Sequence, residues 1–80
     1  MSIKIYTTNY CPYCKRAKEL FISNDLAFEE IDVTENTQAR DEASQKAGGW
    51  MTVPMIFIDD KFIGGYDDLA KLHAEGKLVS

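Results

Sequence analysis

Residues 2–14 read Ser-Ile-Lys-Ile-Tyr-Thr-Thr-Asn-Tyr-Cys-Pro-Tyr-Cys, a stretch that predicts a strand, a turn and the start of a helix. Ile3 and Ile5 alternate with polar neighbours across residues 2–7, as on one face of a short strand. Pro12 suits the first helical position, because its missing N–H would be unbonded there in any case. Apolar residues at helical spacing then continue the helix to about Ser23. The strand therefore leads directly to two cysteines in the first turn of a helix.

The rest of the chain predicts an α/β fold in the order β-α-β-α-β-β-α. The expected elements are a strand over 27–32, a helix capped within 34–37 and reaching 47, a buried strand over 53–58, a strand over 61–63 and a helix over 67–75. Asp59 and Asp60 are placed to turn a hairpin between the last two strands. Because a strand–helix–strand unit is right-handed with parallel strands, we expect a four-stranded mixed sheet flanked by three helices.

Composition and charge narrow the classes of function. The chain has 80 residues and a net charge of −4, which argues against nucleic acid or an anionic membrane as the main partner. No apolar run approaches the ~20 residues that a membrane span needs. We therefore expect a single domain over residues 1–80 in the cytoplasm. Residues 1–24 carry four cationic side chains and one anionic side chain, so we also consider that the two cysteines lie in an electropositive part of the protein.

Cys11 and Cys14 are too few to form a disulfide scaffold and close too small a loop to stabilise a fold. Unbonded N–H groups and the helix dipole at a helix N-terminus favour a thiolate at Cys11, the form that attacks disulfides. Cys14 lies one turn inside and is suited to resolve a mixed disulfide on Cys11. A metal site would need further donors, and His73 is predicted to be a surface residue, so we expect no metal.

Three further motifs each allow two interpretations. Pro54 either begins a strand in the ordinary trans form or follows a cis bond that turns the Val53 backbone towards an extended substrate. Gly64-Gly65 is either a flexible turn or an anion site at a helix N-terminus. Asp67 and Asp68 are either helix caps or partners for an ammonium group beside a bound carboxylate.

These motifs together resemble the dithiol class of glutaredoxins, over almost the whole chain. The resemblance rests on Cys-Pro-Tyr-Cys at 11–14, Thr-Val-Pro at 52–54, and Gly-Gly at 64–65 before Asp67-Asp68. It implies a thioredoxin-like fold, a cis bond before Pro54, and a glutathione-dependent thiol–disulfide oxidoreductase. The implied catalytic residues are Cys11 and Cys14, and the implied glutathione-binding residues are Tyr13, Thr52, Val53, Pro54, Gly65, Tyr66, Asp67 and Asp68.

The resemblance also implies partners and leaves rivals. Glutathione would be the reducing co-substrate, with no bound cofactor, and a monomer would act on disulfide-bonded or glutathionylated proteins, ribonucleotide reductase among the candidates. One rival is a redoxin reduced by thioredoxin reductase that feeds ribonucleotide reductase, and another is a glutathione-ligated iron–sulfur scaffold. Two positions depart from the family pattern. Thr8 occupies a position where many glutaredoxins carry a lysine, and whether Lys15 or Arg16 supplies the missing positive charge is left open by the sequence. Trp50 is either a core residue or a wall of the glutathione groove.

Overall fold

A computed structural model describes residues 1–78 of the chain. Its elements are β1 (Ile3–Thr7), α1 (Pro12–Ser23), β2 (Glu29–Asp32), α2 (Thr37–Lys46), β3 (Met55–Ile58), β4 (Lys61–Gly64) and α3 (Tyr66–Ala74). The four strands lie in the order β2-β1-β3-β4, with β1 parallel to β2 and the other two pairs antiparallel. The predicted α/β fold and its order of elements are confirmed.

Two strands begin two residues later than the sequence predicts. Strand β3 starts at Met55 rather than Val53, because Pro54 has no N–H to donate to the sheet and pairing begins where Met55 lies opposite Tyr6. Strand β2 starts at Glu29 rather than Ala27, since its pairing with β1 begins opposite Lys4. Both differences concern where strand partners meet, which local propensity does not determine.

The sheet is packed on both faces. Ile5 and Ile56 lie on one face, where they pack against Ala17 and Phe21 of α1 and Leu69 of α3. The other face packs Met55 and Phe57 against Ala43 of α2. Because α1 lies with its buried side against the sheet, its first turn and the cysteines are held at the end of β1.

The hairpin between β3 and β4 turns at Asp59 and Asp60, as predicted. Both residues have positive φ, 51° and 66°, which is the backbone of the type I′ turn that joins two twisted antiparallel strands. Pairing of Ile58 with Lys61 then returns the chain along β3 to Gly64, at the start of α3. Within residues 1–78, no helix has the length and apolar character needed to cross a membrane.

Candidate active site

Cys11 caps the N-terminus of α1 with its sulfur. The residue has extended backbone, Pro12 follows at the first helical position, and the Cys14 N–H donates to Cys11 Sγ at 3.1 Å. A side-chain acceptor at this position satisfies one of the free N–H groups of the first turn. The sulfur of Cys11 is partly exposed and lies at the positive end of the helix dipole.

Cys14 has a different environment on the inner side of the same turn. Its side chain is buried, with 1% of its surface exposed. Burial raises the pKa of the Cys14 thiol to about 12, and the hydrogen bond with Cys11 adds to the rise, while the Thr8 backbone N–H and the Lys18 charge oppose it. Cys14 is therefore a protonated thiol at neutral pH, and the predicted difference in exposure between the two cysteines is confirmed.

The Val53–Pro54 peptide bond is cis, as the resemblance implied. Val53 is half-buried and its carbonyl accepts a hydrogen bond from the Cys11 thiol at 3.6 Å. This contact joins residues that are 42 positions apart and places the backbone of the 52–54 segment beside Cys11.

A groove of about 380 Å³ opens next to this contact. It is lined by all eight residues predicted to bind glutathione, together with Trp50: Tyr13, Trp50, Thr52, Val53, Pro54, Gly65, Tyr66, Asp67 and Asp68. The rings of Tyr13 and Tyr66 form part of its wall, with their centroids 6.1 Å apart. The three sequence motifs therefore meet in one groove, which we call the 53–65 groove.

Trp50 meets both of the interpretations that the sequence left open. It lines the 53–65 groove, and its ring also packs edge-on against Phe62, with the centroids 5.2 Å apart. A Cβ at Gly65 would lie 3.7 Å from the Trp50 ring, so the absence of a side chain at Gly65 keeps this part of the groove open. Phe62 holds Trp50 in place as a wall.

The first turn of α3 carries two aspartates, one of which caps the helix. Asp68 accepts the Gly65 N–H at 3.1 Å through Oδ2, which confirms its interpretation as a helix cap. Asp67 is exposed and lines the groove. Gly64 has a φ of +122°, and a Cβ there would collide with the Asp68 side chain, so this position requires glycine.

The positive charge near the cysteines is smaller than residues 1–24 suggest. Lys4 lines a separate groove with Lys46, and the Lys18 ammonium lies 2.9 Å from the Glu30 carboxylate. Arg16 lies over the Tyr13 ring at 5.3 Å from the centroid, beside the 53–65 groove. Positive charge near the cysteines therefore comes from the exposed start of α1 and from Lys18, whose charge is partly offset by Glu30.

One contact around the groove was not foreseen from the sequence. Arg40 of α2 donates from Nη2 to the Met51 carbonyl at 3.2 Å, which ties the segment before Thr52 to the helix. Nothing in the spacing of α2 marks this arginine, because the partner is a backbone atom of a loop.

The predicted surface position of His73 is confirmed, and its Nε2 lies 3.2 Å from Asn24 Oδ1. Within residues 1–78, no three His, Cys, Asp or Glu side chains lie together in an arrangement that could hold a metal ion.

Comparison with known proteins gives one consistent family. The glutaredoxin family model matches residues 3–63. Glutaredoxin 1 of Rickettsia typhi is 47% identical over 78 residues, covering 96% of this chain and 75% of the relative. Glutaredoxin 3 of Escherichia coli is 46% identical over 77 residues, covering 96% and 92%. The crystal structure of a buckwheat glutaredoxin–glutathione complex superposes with a TM-score of 0.84 at 31% identity, covering 95% of this chain and 71% of that one.

Proposed function

This chain belongs to the glutaredoxin family and is a thiol–disulfide oxidoreductase, and we propose that it takes glutathione as its reducing co-substrate in the 53–65 groove. The observation that carries the proposal is the contact of Cys11 Sγ with the Val53 carbonyl, 3.6 Å apart at the edge of that groove. A tripeptide in the groove would have its own sulfur beside Cys11. The glutathione complex of the buckwheat relative supports the same choice of substrate.

In the proposed dithiol cycle, the Cys11 thiolate attacks one sulfur of a protein disulfide. A Cys11–protein disulfide forms, and the second protein sulfur leaves as a thiolate that takes up a proton. Cys14 then attacks Cys11, forming the Cys11–Cys14 disulfide and releasing the reduced protein. Two glutathiones return the pair to thiols and leave as glutathione disulfide, so the two electrons given to the protein come from glutathione.

In the proposed monothiol cycle, Cys11 alone acts on a glutathionylated protein. Its thiolate attacks the glutathione sulfur, the protein thiolate leaves, and a second glutathione releases the first as glutathione disulfide. Cys14 is not required for these steps. The two cycles therefore predict different consequences for the loss of Cys14.

The chemistry of glutathione fits the residues of the groove. The backbone of its cysteinyl residue is suited to pair with Val53 in the manner of an added strand. Its γ-glutamyl end carries a carboxylate and an ammonium group. We assign the carboxylate to the N-terminus of α3, where free N–H groups favour an anion, and the ammonium to Asp67, because Asp68 already accepts the Gly65 N–H. Tyr13 and Tyr66 would flank the peptide.

We place the protein in the cytoplasm as a monomer that acts on disulfide-bonded or glutathionylated proteins. A reducing compartment suits the thiol form of Cys11 and Cys14. Ribonucleotide reductase is one candidate client.

The test is a glutathione-coupled assay with two substrates, a small glutathione mixed disulfide and a protein disulfide. Wild type is expected to reduce both, whereas Cys14→Ser is expected to keep most activity on the mixed disulfide and lose it on the protein disulfide. Cys11→Ser should lose both. A wild type that accepts electrons from thioredoxin reductase and none from glutathione would refute the proposal. A brown, cluster-bearing dimer after anaerobic reconstitution with iron and sulfide would instead support the scaffold alternative.

A further inference from the structure

Cys14 presents a chemical difficulty that the proposed cycle does not explain. Its sulfur must lose a proton before it can attack Cys11, yet its side chain is 1% exposed. The proton needs a path to solvent, and the sulfur needs a source of positive potential when it becomes a thiolate. The region behind Cys14 supplies both.

A second groove, of about 540 Å³, opens beside the cysteine pair. Besides Cys11 and Cys14, its lining includes Thr8 and four charged residues: Lys15, Lys18, Glu30 and Asp32. Among the described residues, none lines both this groove and the 53–65 groove. The residues that face a partner in the 53–65 groove are therefore distinct from those that line the second groove, which contacts both Cys11 and Cys14.

The direction from which Cys14 attacks Cys11 keeps the leaving partner away from Cys14. In thiol–disulfide exchange the attacking, central and leaving sulfurs lie close to one line, so the group that leaves Cys11 is opposite Cys14. The partner therefore leaves from the side of Cys11 that is remote from Cys14. The side of Cys14 that faces the second groove is the side from which its proton can leave.

Lys18 is placed to assist at this point. It follows Cys14 by one helical turn, so both side chains lie on the same side of α1 and line the second groove. Its ammonium is held by Glu30 at 2.9 Å, and Glu30 is held in turn by the Thr7 hydroxyl at 2.8 Å. This chain of bonds from β1 through β2 keeps a flexible lysine side chain near the buried sulfur.

The other charges of the groove do not replace Lys18. Lys15 is exposed on the outer side of the first turn, and the carboxylates of Glu30 and Asp32 would disfavour a thiolate. The positive charge that opposes the raised pKa of Cys14 comes from Lys18. The positive charge that acts on the Cys14 sulfur therefore depends on Lys18.

We propose that Lys18 is a positioning residue for the resolving step, which stabilises the Cys14 thiolate as its proton leaves through the second groove. The Cys14 S–H bond breaks and its proton passes to water. The thiolate then forms the Cys11–Cys14 disulfide, and the Cys11–partner bond breaks with its electron pair on the partner sulfur. The inference rests on the proposed thiol–disulfide cycle and assigns a regulator of its second step.

The test follows both steps in one stopped-flow experiment with dithiobis-nitrobenzoate, which releases a yellow thiolate each time one of its sulfurs is displaced. The first phase is attack by Cys11 and depends on reagent concentration. The second phase is attack by Cys14 on the mixed disulfide and is independent of concentration. The Cys14→Ser variant identifies the second phase by its absence.

Lys18→Gln is expected to slow the second phase about threefold at neutral pH and to leave the first phase unchanged. A tenfold loss of the Cys14 thiolate fraction, partly offset by the greater nucleophilicity of a more basic sulfur, corresponds to about a threefold loss of rate. Lys18→Arg should restore the rate, which a loss of helix stability alone would not predict.

Lys71→Gln is the matched control, because it removes the same charge from an exposed position on α3. A second phase that is insensitive to Lys18→Gln, or that slows equally in Lys71→Gln, would overturn the proposal. Should Lys18→Gln fold poorly, an unchanged second-phase rate in Lys18→Met would overturn it as well. A wild type with no second phase at all would instead contradict the proposed dithiol cycle, so the two failures are distinguishable.

Discussion

Alkylation of the reduced protein should distinguish Cys11 from Cys14 sharply. We expect iodoacetamide at neutral pH to modify Cys11 and to leave Cys14 as a thiol. Cys11 is partly exposed at the N-terminus of α1, where its sulfur accepts the Cys14 N–H at 3.1 Å. Cys14 is buried, and its burial outweighs the Thr8 backbone N–H and the Lys18 charge that favour its thiolate.

The size of the difference follows from the environment of Cys14. Burial is the main cause that raises its pKa from 9.0 to about 12. This lowers the thiolate fraction at neutral pH about a thousandfold. A more basic thiolate is a better nucleophile, with a Brønsted coefficient of about 0.5, so about thirtyfold is recovered. The net expectation is alkylation about thirtyfold slower than that of an unperturbed cysteine, with further hindrance because 1% of the side chain is exposed.

The assay is mass spectrometry of the intact protein over time, followed by peptide mapping of the modified residue. Wild type and Cys14→Ser should gain one adduct at similar rates, while native Cys11→Ser should remain almost unmodified. Denatured wild type, in which both thiols are exposed, should gain two adducts. Equal rates at the two cysteines of the native protein, or rapid modification of Cys11→Ser, would refute the assignment of a protected resolving thiol.

Three other outcomes follow from the structure. Gly64→Ala should lower the free energy of unfolding by about 2 kcal/mol or more in urea titrations, because φ is +122° and the new Cβ would displace the Asp68 cap; an unchanged urea midpoint would contradict this. The hydrogen bond from Lys18 is the main cause that lowers the pKa of Glu30, so its contribution to stability is present above the ordinary value of 4.5 and lost as pH falls. Wild type should accordingly lose more stability than Glu30→Gln below about that pH, and parallel unfolding curves would count against the ion pair. Asp67→Asn should raise the KM for glutathione about tenfold in steady-state assays through loss of a charged partner for the ammonium, and an unchanged KM would remove Asp67 from the site.

Much of the local structure could be predicted because its causes lie close together in the sequence. Pro12 favours the start of α1, and the alternation around Ile5 favours β1, so the position of Cys11 at a helix N-terminus follows from a few adjacent residues. The same holds for the hairpin at Asp59-Asp60. Where the boundary depends on a partner strand, as at the start of β3, the prediction was early by two residues.

The residues at the site could also be predicted, but the contacts that each of their side chains makes could not. The resemblance to the glutaredoxin family implied eight of the residues that line the 53–65 groove. It could not decide that Asp68, rather than Asp67, would accept the Gly65 N–H, or that Trp50 would pack on Phe62 and still form a wall. These outcomes depend on the distances between side chains, which spacing along the chain does not give.

The sequence by itself determined the order of elements, the asymmetric placement of two thiols one helical turn apart, and the chemistry that such a pair can perform. Only the tertiary structure decided that Cys14 is buried, that Lys18 is paired with Glu30, and that the Val53 carbonyl lies against Cys11. The physical reason is that helix starts and turns arise from neighbouring residues, whereas burial and electrostatic potential at a sulfur are sums over groups that folding brings together from distant segments.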